Sequence, residues 1–254
     1  MKHKSLILFT CSSLFVLFLF VVQSEAKKIT VIFDQGHGQK FLIEKEGELQ
    51  LSKFSGLLKG KGYDVSINVK EIDDAVLKTA DALIVSGAFK PFSPEETNAV
   101  IRFVERGGKL CVMLHVPQPL TGLMSRLKVY TSNGVIQERE NTIDNSPLNF
   151  YVTNMKRHKI TKRLKKFAAY GVWALMTESP TAKIIALTGP KAWIDLNGNS
   201  QLDEADAQQA FGVIVEGSLG KGRYVIFGDD AIFQNKFLDQ DNLLLGKNLA
   251  DWMK

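Results

Sequence analysis

The chain has 254 residues, 45% of them hydrophobic and 23% charged, with a formal net charge of +5. That length supports a full buried core without disulfide or metal staples, and two cysteines exclude a disulfide scaffold. A positive excess this mild does not by itself imply a nucleic-acid partner.

The first 26 residues read as an export signal. Lys2 and Lys4 give a basic start, Leu6 to Val22 is a nearly uninterrupted apolar run, and Ser24-Glu25-Ala26 offers a peptidase small residues at the positions it reads. Cleavage predicts a periplasmic or secreted protein. The run is also close to the roughly 20 residues of a membrane span, so an inner-membrane anchor over residues 6–22 is the alternative. Cys11 leaves with the signal, so Cys111 has no partner for a disulfide in the mature chain.

From residue 27 onward, strands and helices alternate. Ile29 to Phe33 is a β-branched strand ending at Asp34 and the Gly-rich turn Gln35-Gly36-His37-Gly38-Gln39. Glu46 to Lys61 follows as an amphipathic helix, with Leu49, Phe54, Leu57 and Leu58 on its apolar side. Tyr63 to Val69 and Ala82 to Val85 are the next strands, the latter closed by Ser86-Gly87. Ser93, Pro94 and Glu96 form a capping box that opens a helix ending at Gly107-Gly108, and Lys109 to Leu114 is a fourth strand. Shorter strands are expected at Phe150–Asn154, Ile184–Thr188, Phe211–Glu216 and Arg223–Phe227, with a last helix over Leu243–Trp252. This order predicts one three-layer α/β domain over 27–254, with a mostly parallel sheet, helices on both faces and a β-rich insertion.

In open parallel sheets, ligands bind beyond the carboxyl ends of the strands. Here those ends carry Asp34 to Gln39, Ser86-Gly87, His115 and Gly228-Asp229-Asp230. If the strands are neighbours, one cleft holds Asp34, Gln35, Gly36, His37, Gly38, Gln39, Ser86, His115, Asp229 and Asp230. His37 in such a turn suits a metal ligand, a general base or a residue that shapes the loop.

Five segments in order carry a family resemblance. They are Ile32–Gln39, Ala82–Gly87, Phe103–Leu110, His158-Lys159-Ile160-Thr161 and Gly220–Asp230. The chain resembles a group of uncharacterised bacterial domains with the class I glutamine-amidotransferase-like, flavodoxin-like fold. The fourth segment is similar to a His-Pro-Ile-Thr element of related domains, with Lys159 in place of the proline. The amidotransferases carry a nucleophilic Cys in a Gly-x-Cys-x-Gly elbow. Cys111 instead lies within Leu110-Cys111-Val112-Met113-Leu114, unflanked by glycine, and a nucleophile needs exposure and a base. The resemblance therefore implies a non-catalytic domain in the cell envelope, binding a small molecule or envelope protein at the strand-end cleft.

Phe33-Asp34-Gln35-Gly36-His37-Gly38 also resembles the opening of the zinc-dependent N-acetylmuramoyl-L-alanine amidases, with Glu44-Lys45 similar to their Glu-Lys pair. That likeness implies a zinc site of His37, Glu44 and His115 and hydrolysis of cell-wall amide bonds. Gln35 stands where that family has proline, and the spacing from His37 to Glu44 is shorter than theirs.

Residues 195–206 fit a twelve-residue calcium loop, with Asp195, Asn197, Asn199, Gln201, Asp203 and Asp206 as ligands and calcium as a structural ion. Ser200 takes the position usual for Gly, and Asp206 that of the bidentate Glu. Between Lys156 and Lys166 the chain packs Lys156, Arg157, Lys159, Lys162, Arg163, Lys165 and Lys166. That stretch is a solvated face or a contact for anionic lipid or envelope polymer; no interleaved aromatic array points to nucleic acid.

Overall fold

β1 (Thr30–Asp34) is the first element of the computed structural model, which describes residues 28–254. The expected signal at 1–26, and the anchor over 6–22, lie outside the described residues. In chain order there follow α1 (Ser52–Gly60), β2 (Asp64–Asn68), α2 (Asp74–Leu77), β3 (Ala82–Ser86), α3 (Pro94–Glu105), β4 (Lys109–Met113), α4 (Thr121–Arg126) and β5 (Val129–Val135). The chain continues through β6 (Thr142–Ile143), β7 (Ser146–Val152), β8 (Asn154–Met155), β9 (Phe167–Tyr170), β10 (Trp173–Thr177) and β11 (Ala182–Leu187). It ends with β12 (Trp193–Ile194), β13 (Ala207–Gln208), β14 (Gly212–Leu219), β15 (Gly222–Phe227) and α5 (Gln240–Trp252).

The main sheet has ten strands in the order β2-β1-β3-β4-β15-β14-β10-β5, with β11 on β14 and β8 on β11. From β2 to β15 every pairing is parallel; beyond β15 every pairing is antiparallel. The expectation of a mostly parallel sheet is corrected to a mixed one. The cause is local. Leu219 pairs with Gly222 across a two-residue turn in which Gly220 has φ +59, and a turn that short joins only antiparallel strands.

The first helix also differs from expectation, starting at Ser52 rather than Glu46. Residues 46–51 form turns because the carbonyls of Glu48 and Gln50 accept Lys236 N–H and Asn235 N–H, and the Gln50 side chain accepts Leu42 N–H. Leu49 therefore points outward, 46% exposed. The capping box at Ser93 and Glu96 forms as its spacing implies.

Alternation along the strands divides the apolar residues between two faces. Val31 and Phe33, with Ile84 and Met113, pack under α1 and α5. Ile32, with Leu83, Val85 and Val112, packs under α2, α3 and α4. A small antiparallel sheet, β6-β7-β9, adds Phe150 and Phe167 to the first of these cores. Among the described residues no helix is long and apolar enough to cross a membrane.

Candidate functional site

β1, β3, β4 and β15 are consecutive in the sheet and parallel, so their carboxyl ends lie side by side. Asp34, Ser86-Gly87, His115 and Asp229-Asp230 thus share one edge, where they form two separate clusters.

The first cluster is built on His37. Its Nδ1 lies 2.9 Å from both oxygens of Asp34, and its Nε2 lies 2.9 Å from Glu96 Oε1. A ring between two acceptors donates from both nitrogens only as the imidazolium. Burial alone would lower its pKa, but the Asp34 and Glu96 carboxylates outweigh burial and raise it. Glu96 is opposed by burial too, yet the N–H groups of Ser93 and Ile72 and the His37 charge hold its pKa below the usual carboxylate range. Gln39 completes the knot by donating to Asp34 and accepting from His37 N–H. The His37 carbonyl receives the N–H groups of Phe89 and Lys90. The Gly-flanked turn is thus a clasp joining the end of β1, the start of α3 and the segment after β3. Gln35 folds the next stretch by donating to Glu44 and accepting from Ile43 N–H.

The second cluster opens to solvent. His115 follows β4, and its Nδ1 lies 3.1 Å from Oδ1 of Asp230, beyond the end of β15. The His115 side chain is 40% exposed while that of Asp230 is 2% exposed. Asp230 Oδ2 is buried with no hydrogen-bond partner, as is Ser86 Oγ. Asp229 is buried and accepts Tyr170 N–H and Ala231 N–H. Burial, then the neighbouring Asp230, pushes the Asp229 carboxyl well above the usual range; burial also raises Asp230, with His115 opposing it. The Asp230 hydrogen bond raises His115 against the effect of burial. A cavity of about 290 Å³ adjoins the pair, walled by Phe41, Leu49, Tyr170 and Phe237. Phe41 and Phe89 set their rings 5.2 Å from the His115 ring, and Tyr170 stacks on Phe237 at 3.9 Å. Trp173 Nε1 donates to the His115 carbonyl and fixes the backbone there.

The expected zinc set is not assembled. His37 spends both nitrogens on carboxylates, Glu44 is exposed and bonded to Gln35, and His115 turns to Asp230. Among the described residues no three His, Cys, Asp or Glu side chains are gathered to hold a metal ion. The three Asp of the calcium candidates, Asp195, Asp203 and Asp206, are likewise not gathered. Residues 195–206 form the exposed loop between β12 and β13, and their donors turn to one another. Asp195 accepts from Gly198 and Ser200, Asn197 and Asn199 both donate to Asp203, Asn199 accepts Gln201 N–H, and Asp206 accepts from Leu196 and Asp203. Cys111 is fully buried inside β4, and burial drives its thiol pKa up.

The sequence places Asp34, His37, His115, Asp229 and Asp230 at strand ends, the partners Asp34 and Asp230 included, but not Glu96 on His37. Glu96 was visible only as a helix cap. The aromatic walls, Phe41, Tyr170 and Phe237, come from three distant segments with no shared pattern.

Among curated proteins none matches the sequence. Among solved structures, the mmIFT52 N-terminal domain superposes with a TM-score of 0.71 at 15% identity, covering 88% of this chain and 96% of that one. A ThuA-like protein from Bacteroides uniformis gives 0.56 at 17% identity, covering 90% and 93%. The cytoplasmic protein STM1381 from Salmonella typhimurium gives 0.56 at 13%, covering 89% and 100%. At these identities the likeness is one of fold, and it is the class I glutamine-amidotransferase-like fold that ThuA-like proteins have. Residues 47–250 match the model of the family described as Domain of unknown function (DUF4350), a span that takes in Glu96, His115, Asp229 and Asp230 but not β1 or its loop. A match of that extent shows that the chain belongs to the DUF4350 family.

Proposed function

We propose that the protein is an exported, non-catalytic domain that binds a small ligand in the cavity beside His115. The observation that carries this reading is the state of Asp230: buried, one oxygen on His115 and the other without a partner. A buried polar atom left unpaired costs stability, and a ligand donor or an ordered group reaching it would recover that cost. The aromatic walls suit the apolar face of a small ring, and His115 Nε2, unengaged among the described residues, donates to a ligand oxygen as the imidazolium and accepts from a ligand donor when neutral. Such a combination of apolar walls and few polar groups is the usual make-up of a ligand pocket.

Glutaminase chemistry is not part of this reading. The chain's cysteines are Cys11 and Cys111, and the latter is buried in a strand without an elbow. Calcium enters only as a structural ion of the 195–206 loop; a rise in Tm on adding calcium, abolished in Asp195→Ala, checks that part. The cavity itself is tested by calorimetric titration with a panel of monosaccharides and small carboxylates. A ligand that binds the native protein is expected to lose at least about tenfold in affinity in His115→Ala and in Phe237→Ala. Undiminished binding in both variants would move the site elsewhere.

A further inference from the structure

The densest run of charge in the sequence serves neither cluster at the strand ends. It lies on the loop from Lys156 to Lys166, between β8 and β9. This loop is held in one shape from inside. Ile160 is buried, Asn248 of α5 donates to the carbonyls of Ile160 and Lys162, and Thr161 Oγ1 donates to the Lys156 carbonyl. His158 turns inward, 3.5 Å from the buried Glu216. Lys156, Arg157, Lys159, Lys162 and Arg163 are left exposed, around a hollow of about 660 Å³. Among the described residues none of these five makes a salt bridge.

The position of the loop supplies the second argument. Val31, Ala82, Lys109 and Arg223 are paired across β1, β3, β4 and β15 and mark the end of the sheet where those strands begin. His158 of the loop shares Glu216 with Arg223, and α5, whose Asn248 holds the loop, ends where the Met253 carbonyl accepts Lys109 Nζ, so the basic loop reaches that end. The chain enters β1 at the same end. Only residues 23–27 separate the apolar run Leu6–Val22 from the described residues, and five extended residues span about 17 Å.

We propose that the loop from Lys156 to Lys166 is a docking surface for the anionic phospholipid headgroups of a bilayer, holding the strand-start end of the domain against the membrane. Basic residues near an anionic surface are attracted within about a Debye length, roughly 8 Å at physiological salt. A preformed, unpaired cationic face needs little ordering to engage it. The cavity at the opposite ends of these strands then faces away from the bilayer.

The test uses the chain from Lys27 onward, which retains both core clusters and lacks the apolar run that would itself enter lipid. Co-sedimentation is measured with phosphatidylcholine vesicles, with and without about 30% phosphatidylglycerol. Binding is expected only with phosphatidylglycerol, and high salt should abolish it. The triple variant Lys156→Glu, Lys159→Glu, Lys162→Glu should bind at least about tenfold more weakly, and the corresponding Gln triple should fall in between. A control triple, Lys40→Glu, Lys45→Glu, Lys128→Glu, should stay within about twofold of the parent. Absence of binding by the parent chain overturns the proposal, as does an equal loss in the control. Binding to soluble polyphosphate but not to vesicles also overturns it, in favour of an envelope polymer.

Discussion

Glu96 shows how much one side chain can hold. Its Oε1 receives His37 Nε2 and Ile72 N–H in buried contacts, and its Oε2 receives Ser93 N–H in a partly buried one. Glu96→Ala strands those donors beside a charged imidazole, and breaking a buried pair of this kind costs about 3–5 kcal/mol. Urea unfolding checks the figure; a loss under about 1 kcal/mol, the size of an ordinary cap, would mean the His37 contact contributes nothing. Glu96→Gln keeps an acceptor oxygen and should cost less. The pH dependence has a definite sign. His37 has its folded pKa raised above 6.5, so its charged contacts stabilise fully below that unfolded value and fade as pH climbs through the folded one. In His37→Gln that part of the alkaline decline should vanish from a plot of unfolding free energy against pH. The sequence shows His37 as a Gly-flanked histidine at a strand end, which is enough to mark it. It does not show that the ring is spent on a carboxylate 59 positions away, because pairing across that separation depends on how β1 and α3 are brought together. His115 lies at a strand end in the same way, yet its partner Asp230 becomes specific only once β4 and β15 are known to be neighbours.

At the scale of an element, the turn after β3 decides whether His115 and Asp230 keep their geometry. Gly87 has φ +59, and a Cβ there would lie 2.7 Å from Asp230 Oδ2, 3.5 Å from Phe41 and 3.6 Å from the His115 Cβ. Left-handed backbone costs an L residue about 1–2 kcal/mol, and the close approach forces Asp230 to move. Gly87→Ala should therefore lower Tm and also bring the His115 pKa, read by NMR titration, down from its raised value. A drop in Tm with an unchanged His115 titration would show that the turn and the pair are independent. Gly56 provides the contrast: it sits within α1 with nothing within 4 Å of an added Cβ, so Gly56→Ala should gain about 0.5–1 kcal/mol. The same distinction governs how far the fold is legible. The strands of the parallel half and α3 announce themselves through apolar runs, a capping box and Gly stops. β5 reads Val-Tyr-Thr-Ser-Asn-Gly-Val, and its pairing with β10 shifts register between Trp173 and Leu175. Such a segment has no clean alternation, since its burial is set by neighbours far along the chain. The Gly220-Lys221 turn was the one local sign that the sheet would reverse direction, because two residues cannot carry a parallel crossover.

For the whole molecule, the two halves of the sheet share a core. Phe33 and Ile84 from the parallel half and Ile185, Val213 and Ile214 from the antiparallel half belong to one buried cluster, and β14 pairs with β15 over six residue pairs. Neither half keeps its apolar face covered if the other unfolds, and each buried Phe or Leu contributes roughly 1.5–3 kcal/mol. Unfolding is therefore expected to be a single transition, although this chain exceeds the size at which such behaviour is common. The chain carries its own reporters. Trp252 lies in α5 against the parallel half, and Trp173 lies in β10, within the antiparallel half. In variants that keep only one of these tryptophans, the others being changed to Phe, urea midpoints read by fluorescence should coincide with each other and with far-ultraviolet circular dichroism. A Trp173 midpoint clearly below that of Trp252 would mean that the antiparallel half opens on its own. In that case the wall of the His115 cavity formed by Tyr170, joined to β10 through Gly171-Val172, would loosen with it, and ligand binding would weaken at denaturant concentrations where the parallel half remains folded. Coincident midpoints instead tie the cavity to the global stability of the fold, so that Gly56→Ala, at a residue that does not line the cavity, should extend binding to higher urea by the same increment as it extends folding.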